Sequence, residues 1–205
     1  DGLFQKAICQ SGGLDAVASK EKANQWAELF TDQFEKDGHK VSDLRSCDWE
    51  LIINTAKKLK HSRLSDGKTW IFPEVGFLPV IDNKFIMDDY LETYSSSSTH
   101  LIAGTTLDEY KLWSTFHPRI GKNDEEYITR RLSKMFESSK LSELISAYRE
   151  YLKINELGDI YSAILTDICF GIPTHKTLQK KGGNSFGYLF STQSEILRGK
   201  LGCFH

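Results

Sequence analysis

His100-Leu101-Ile102-Ala103-Gly104-Thr105-Thr106 is the stretch that decides the fold class. Leu101 to Gly104 run without polar alternation, so the strand they form is expected to be buried on both faces, as in a parallel sheet. The run opens into a polar turn, Thr105-Thr106-Leu107-Asp108-Glu109. Upstream, Phe4-Gln5-Lys6-Ala7-Ile8-Cys9-Gln10 reads as a second short strand, stopped by Ser11-Gly12-Gly13. Downstream, Ser185-Phe186-Gly187-Tyr188-Leu189-Phe190-Ser191 reads as a third. Helical spacing fills the intervals. Ala23, Trp26, Leu29, Phe30 and Phe34 predict a helix over 19–37. Asp48 caps a second that runs to Leu59, and 88–94 is a short third. Further helices are expected over 123–136, with Asn123 as N-cap, over 141–152 and over 158–179. Residues 61–75 read as a loop, and Phe77 to Asn83 as an extended segment with a tight turn. The order of strand, helices, strand, helices, strand predicts an α/β fold: a parallel central sheet with long helical insertions.

Composition narrows the function classes. A net charge of -2 gives no basic footprint for nucleic acid. No apolar run approaches the about 20 residues of a membrane span. The cysteines at 9, 47, 169 and 203 form no CxxC pair, so no metal or redox motif is expected. Free thiols and a cytoplasmic setting are the expectation. The length suits a single domain over residues 1–205. The abrupt ends, Asp1-Gly2-Leu3 and Cys203-Phe204-His205, are expected to be cuts through a longer polypeptide.

In an open parallel sheet, reactive groups gather past the carboxyl ends of the strands. Here those places hold Ser11, the pair Asp108-Glu109 and, farther on, His205. A hydroxyl, two carboxylates and an imidazole make a hydrolytic set. Each also has a plainer reading. Asp108 and Glu109 suit the cap of a following helix, Ser11 suits a turn, and His205 is a terminal histidine.

Five segments carry a resemblance that favours chemistry. They are Gly2-Leu3-Phe4-Gln5-Lys6-Ala7-Ile8-Cys9-Gln10-Ser11-Gly12, Phe77-Leu78-Pro79-Val80-Ile81-Asp82-Asn83-Lys84-Phe85-Ile86, and Leu101-Ile102-Ala103-Gly104-Thr105-Thr106-Leu107-Asp108-Glu109-Tyr110. Leu165-Thr166-Asp167-Ile168-Cys169-Phe170-Gly171-Ile172-Pro173 and Leu201-Gly202-Cys203-Phe204-His205 complete the set. In this order they resemble the type-B carboxylesterases, the family of the cholinesterases and bacterial para-nitrobenzyl esterases. Asn83 stands where that family usually has Gly.

The resemblance implies part of an α/β-hydrolase domain, starting after the nucleophile elbow and ending at the catalytic histidine. It implies a carboxylic ester hydrolase working by a Ser-Glu-His triad. Glu109 would be the acid, His205 the general base, and Ser11 a hydrogen-bond partner of the acid. No G-x-S-x-G of the chain sits on a strand-to-helix elbow; Gly183-Asn184-Ser185-Phe186-Gly187 leads into the third strand instead. The serine is therefore expected upstream, and these residues alone are expected to be inactive until other parts of the polypeptide complete the site. By the same resemblance Val75, Phe77, Leu112 and Trp113 would line the substrate pocket, Trp113 having a core role as its alternative. The partner implied is a small-molecule carboxylic ester, with no cofactor and no metal. The alternative is a non-catalytic, cholinesterase-like adhesion protein, which would need neither Glu109 nor His205.

Overall fold

A computed structural model describes residues 3–13, 16–59 and 77–205. The loop expected over 61–75, and Val75 within it, lie outside the described residues. In chain order the elements are β1 (Lys6–Gln10), β2 (Ala18–Ser19), α1 (Lys20–Lys36), α2 (Trp49–Lys58), β3 (Val80–Ile81), α3 (Tyr90–Ser96) and β4 (His100–Thr106). They continue with α4 (Lys111–Phe116), α5 (Glu125–Leu132), α6 (Ser138–Leu152), α7 (Leu157–Thr166), α8 (Ile172–Lys181) and β5 (Ser185–Phe190). The chain divides into two compact units, Ala16–Tyr90 on one hand, and Asp1–Asp15 with Leu91–His205 on the other.

In the smaller unit, Ser19 caps α1 by accepting the Lys22 N–H, and Asp48 caps α2 by accepting that of Glu50. Trp26, Phe30 and Phe34 recur every four residues, so they share one buried stripe of α1. Leu51, Ile52, Ala56 and Leu59 of the α2 segment pack against it. The ring of Phe77 meets Phe30 edge-on at 5.8 Å and is 60% exposed. β2 and β3 pair in parallel. After β3, Asp82 Oδ1 accepts the backbone N–H groups of Lys84, Phe85 and Ile86. That turn holds Asn83 at φ +57, a left-handed conformation that asparagine tolerates better than most residues. The tolerance accounts for Asn at a position where Gly is usual.

The larger unit contains the parallel sheet, ordered β1-β4-β5. Ile8 pairs with Ile102, and Ile102 with Phe186. Gly104 faces Tyr188, where a Cβ would fall 2.3 Å from the Tyr188 carbonyl oxygen, so only glycine fits. The expected burial of β4 on both faces is met on one. Leu101 and Ala103 are buried, on the face where Leu178 of α8 reaches Gly187. Ile102 on the opposite face is 41% exposed, level with exposed Ile8 and Phe186. The helical layer closes around α7, whose Ile160, Tyr161, Ile164 and Leu165 are buried together with Ile128, Leu132 and Leu141 of α5 and α6. Each such aliphatic side chain contributes about 1.5–3 kcal/mol by leaving water.

Two helix expectations are corrected. The cap of α5 is Asp124, which accepts the Tyr127 N–H, while Asn123 sits at φ +54 and accepts the Gly158 N–H at 2.7 Å. Asn123 therefore ties the start of α7 to the preceding turn. The helix expected over 158–179 runs continuously over 157–181, but a π turn, Asp167–Gly171, is set into it. Pro173 explains that turn: it has no N–H to give the preceding turn, and its ring would crowd the carbonyl four residues back.

Candidate active site

All three strands of the sheet run parallel, so their carboxyl ends lie on one side, and the loops leaving them build the site. Ser11 follows β1 directly. Its N–H donates to the Gly104 carbonyl, and its φ of +58 turns the chain sharply out of the strand. The turn after β4 is held from two sides, because Leu107 N–H donates to Phe190 O and Tyr110 N–H donates to Thr166 Oγ1 of α7.

Glu109 is fully buried. A buried carboxylate persists only where donors satisfy it, and three do. Ser11 Oγ donates to Oε1 at 2.5 Å, and the Thr106 N–H donates to the same oxygen at 2.6 Å. Oε2 lies 2.6 Å from Nδ1 of His205. A carboxylate offers acceptors alone, so Nδ1 carries the proton and Nε2 is left as the basic nitrogen. The structure therefore brings together a hydroxyl, a carboxylate and an imidazole, those of Ser11, Glu109 and His205. Neither Asp108 nor Glu109 caps α4, whose N-cap is Tyr110 without a side-chain bond.

Aromatic rings frame the imidazole. Trp113 stands 5.3 Å from the His205 ring and Phe170 stands 5.6 Å from it, while Trp113 and Phe170 stack on each other at 6.1 Å and 7°. The His205 side chain remains 45% exposed. Trp113 is thus a ring neighbour of the histidine, and Leu112 is the half-buried residue beside it on α4. Val75 lies outside the described residues. Phe77 belongs to the smaller unit, where it packs on Phe30.

Sequence reasoning passed over two contributors. Nothing in the spacing of Phe170 marks it, because the π turn that aims it is invisible to helical periodicity. In sequence Asp108 and Glu109 read as one acidic pair. In the structure Asp108 Oδ2 accepts the Cys203 N–H at 2.9 Å instead. Around the site, burial pushes the Cys169 thiol up to about 12. Burial, and then the adjacent Asp108 carboxylate, also raise that of Cys203. Tyr148 is raised by burial and by its bond to Asp167 Oδ2 at 2.5 Å, which anchors the π turn to α6. The four cysteines are free thiols. Among the described residues no group of three His, Cys, Asp or Glu could hold a metal ion, and no helix is long and apolar enough to cross a membrane.

Comparison with known proteins agrees with this layout. The model of the carboxylesterase family matches residues 1–200. A bile salt-activated lipase from Bos taurus is 29% identical over 219 residues, covering 95% of this chain and 36% of that protein. A solved structure titled PNB esterase superposes with a TM-score of 0.61 at 22% identity, covering 100% of this chain and 42% of that one. That likeness shows the fold, the α/β-hydrolase arrangement that the family resemblance implied. The chain spans well under half the length of these relatives.

Proposed function

The chain belongs to the carboxylesterase family, and from that premise we propose that it supplies the acid and the base of a carboxylic ester hydrolase, Glu109 and His205. The single observation that carries the proposal is the 2.6 Å bond from His205 Nδ1 to a fully buried Glu109 whose other oxygen already holds two donors. Such a carboxylate fixes the imidazole tautomer and stabilises the imidazolium when it forms. Nε2 then takes the proton of a serine hydroxyl as that oxygen attacks the ester carbonyl, and later returns it to the leaving alcohol. Backbone N–H groups of an oxyanion hole would stabilise the tetrahedral intermediate.

The serine elbow and the oxyanion loop are not among these 205 residues: the G-x-S-x-G string Gly183-Asn184-Ser185-Phe186-Gly187 leads into β5, whereas a nucleophile elbow leaves a strand for a helix. In this proposal another part of the same polypeptide brings them. The share of the relatives' length that the chain spans supports that, as does the apolar sheet face of Ile8, Ile102 and Phe186, which further structure would cover. Leu112 and Trp113 are proposed to line the pocket, on the family resemblance. A small carboxylic ester is the proposed substrate.

The test is hydrolysis of p-nitrophenyl acetate by the 205-residue chain and by its His205→Ala variant. Equal rates at the level of a non-specific background are expected. Turnover by the chain that His205→Ala abolishes would mean that it holds a complete site of its own.

A further inference from the structure

Asp108 and Glu109 are neighbours in sequence with different clients. Glu109 holds the ring of His205, while Asp108 holds the backbone that carries it. Asp108 Oδ2 accepts the Cys203 N–H at 2.9 Å, and the Asp108 N–H donates to the Cys203 carbonyl at 3.3 Å. One residue thus engages both backbone groups of Cys203, two positions before the histidine. Gly202 permits this approach, since a Cβ there would lie 2.2 Å from Asp108 Oδ2.

The loop that arrives at Cys203 needs such a grip. Leu197 (φ +53), Arg198 (φ +59), Gly199 (φ +81) and Gly202 (φ +59) all lie in the left-handed region. Leucine and arginine hold that conformation only where their surroundings enforce it. Within the loop, Ser194 N–H donates to Gly202 O. From outside, the polar contacts that fix its end are those of Asp108 to Cys203 and of Glu109 to His205. Glu109 Oε2 sets only where Nδ1 lies; the approach of the main chain is set by Asp108. The same clasp leaves Cys203 2% exposed.

We infer that Asp108 is a positioning residue of the proposed esterase, clamping both backbone groups of Cys203 so that a left-handed loop presents His205 to Glu109. Its bearing on turnover rests on the triad proposed above; the clamp itself does not.

Two readouts in the 205-residue chain test it. One is the rate at which iodoacetamide alkylates Cys203, resolved by peptide mass spectrometry. The other is the low-field proton resonance of His205 Nδ1–H in its bond to Glu109. Asp108→Ala should raise the Cys203 rate about tenfold or more, the factor that one net hydrogen bond controls, and broaden the imidazole proton beyond detection. Asp108→Asn keeps an oxygen that can accept the Cys203 N–H but loses the charge that raises the Cys203 thiol, so its rate should lie between those of the unaltered chain and Asp108→Ala, with the imidazole proton still detected. Gly202→Ala, with Asp108 intact, should act like Asp108→Ala, and it carries the test if Asp108→Ala does not fold. Unchanged rate and resonance in folded Asp108→Ala or Gly202→Ala would overturn the inference, as would Asp108→Asn behaving like Asp108→Ala. Both readouts are independent of ester turnover, so a failed triad and a failed clamp would be told apart.

Discussion

Nδ1 of His205 lies 2.6 Å from Oε2 of Glu109, although 96 positions separate the two residues in sequence. The contact joins the turn after β4 to the loop after β5, so it forms only when the parallel sheet is in register. What surrounds it is asymmetric: Oε1 is saturated by Ser11 and Thr106, leaving Oε2 for the imidazole.

That asymmetry makes Ser11 more than a turn residue. Ser11→Ala removes one of the two donors on Oε1 of a buried carboxylate. A hydrogen bond to a charged group contributes about 1.5–3 kcal/mol, and urea unfolding of the 205-residue chain should show a loss of that order. A change below about 0.5 kcal/mol would mean that water replaces the hydroxyl at no cost.

Asp124 sets an acid limit on local stability. The Arg119 guanidinium first, and the Tyr127 N–H second, hold its carboxyl below the ordinary 3.8. As acid is added, the unfolded chain takes up this proton before the folded one. The contribution is therefore complete above the ordinary value and is lost as the pH falls through the lower folded value. Asp124→Asn keeps a competent helix cap without the charge. The gap in urea midpoint between the unaltered chain and Asp124→Asn should be constant from about pH 7 to pH 5 and close as the pH falls below 3.8. A gap independent of pH would remove the Arg119–Asp124 pair from the account.

Cys169 should be a poor nucleophile. With its thiol pushed up to about 12 by burial, roughly one molecule in 10⁴ carries the thiolate at pH 8. Peptide-resolved alkylation with iodoacetamide at that pH should leave Cys169 largely unmodified under conditions that exhaust a free thiol. Labelling at the free-thiol rate would show that the α7–α8 segment opens readily.

The sequence disclosed the frame more readily than the placement. β4 was legible to the residue, because a short apolar run between a serine tract and a polar turn has few alternatives. The cap of α2 was legible because Asp48 caps through a local bond. Asn123 misled for the same reason: it looks like a cap, but its partner, Gly158, is thirty-five positions away. The π turn at Asp167–Gly171 was hidden, since one extra residue in a helix leaves the apolar pattern nearly intact. Glu109 and His205 were named through family resemblance. That Asp108 grips Cys203 was illegible, because the bond depends on how two loops meet.

The most direct test of the central claim is p-nitrophenyl acetate turnover by the serine-containing polypeptide, compared with its Glu109→Gln variant. Oε1 receives two donors, so the amide oxygen of Gln should stay there and turn its NH₂ toward His205. Nδ1 must then accept, which moves the imidazole proton to Nε2, the nitrogen that has to act as base. A fall in kcat of roughly 10²–10⁴, with KM nearly unchanged and the fold retained, is the predicted result. Equal turnover in the two forms would contradict it and would dismiss Glu109 as the acid of the triad.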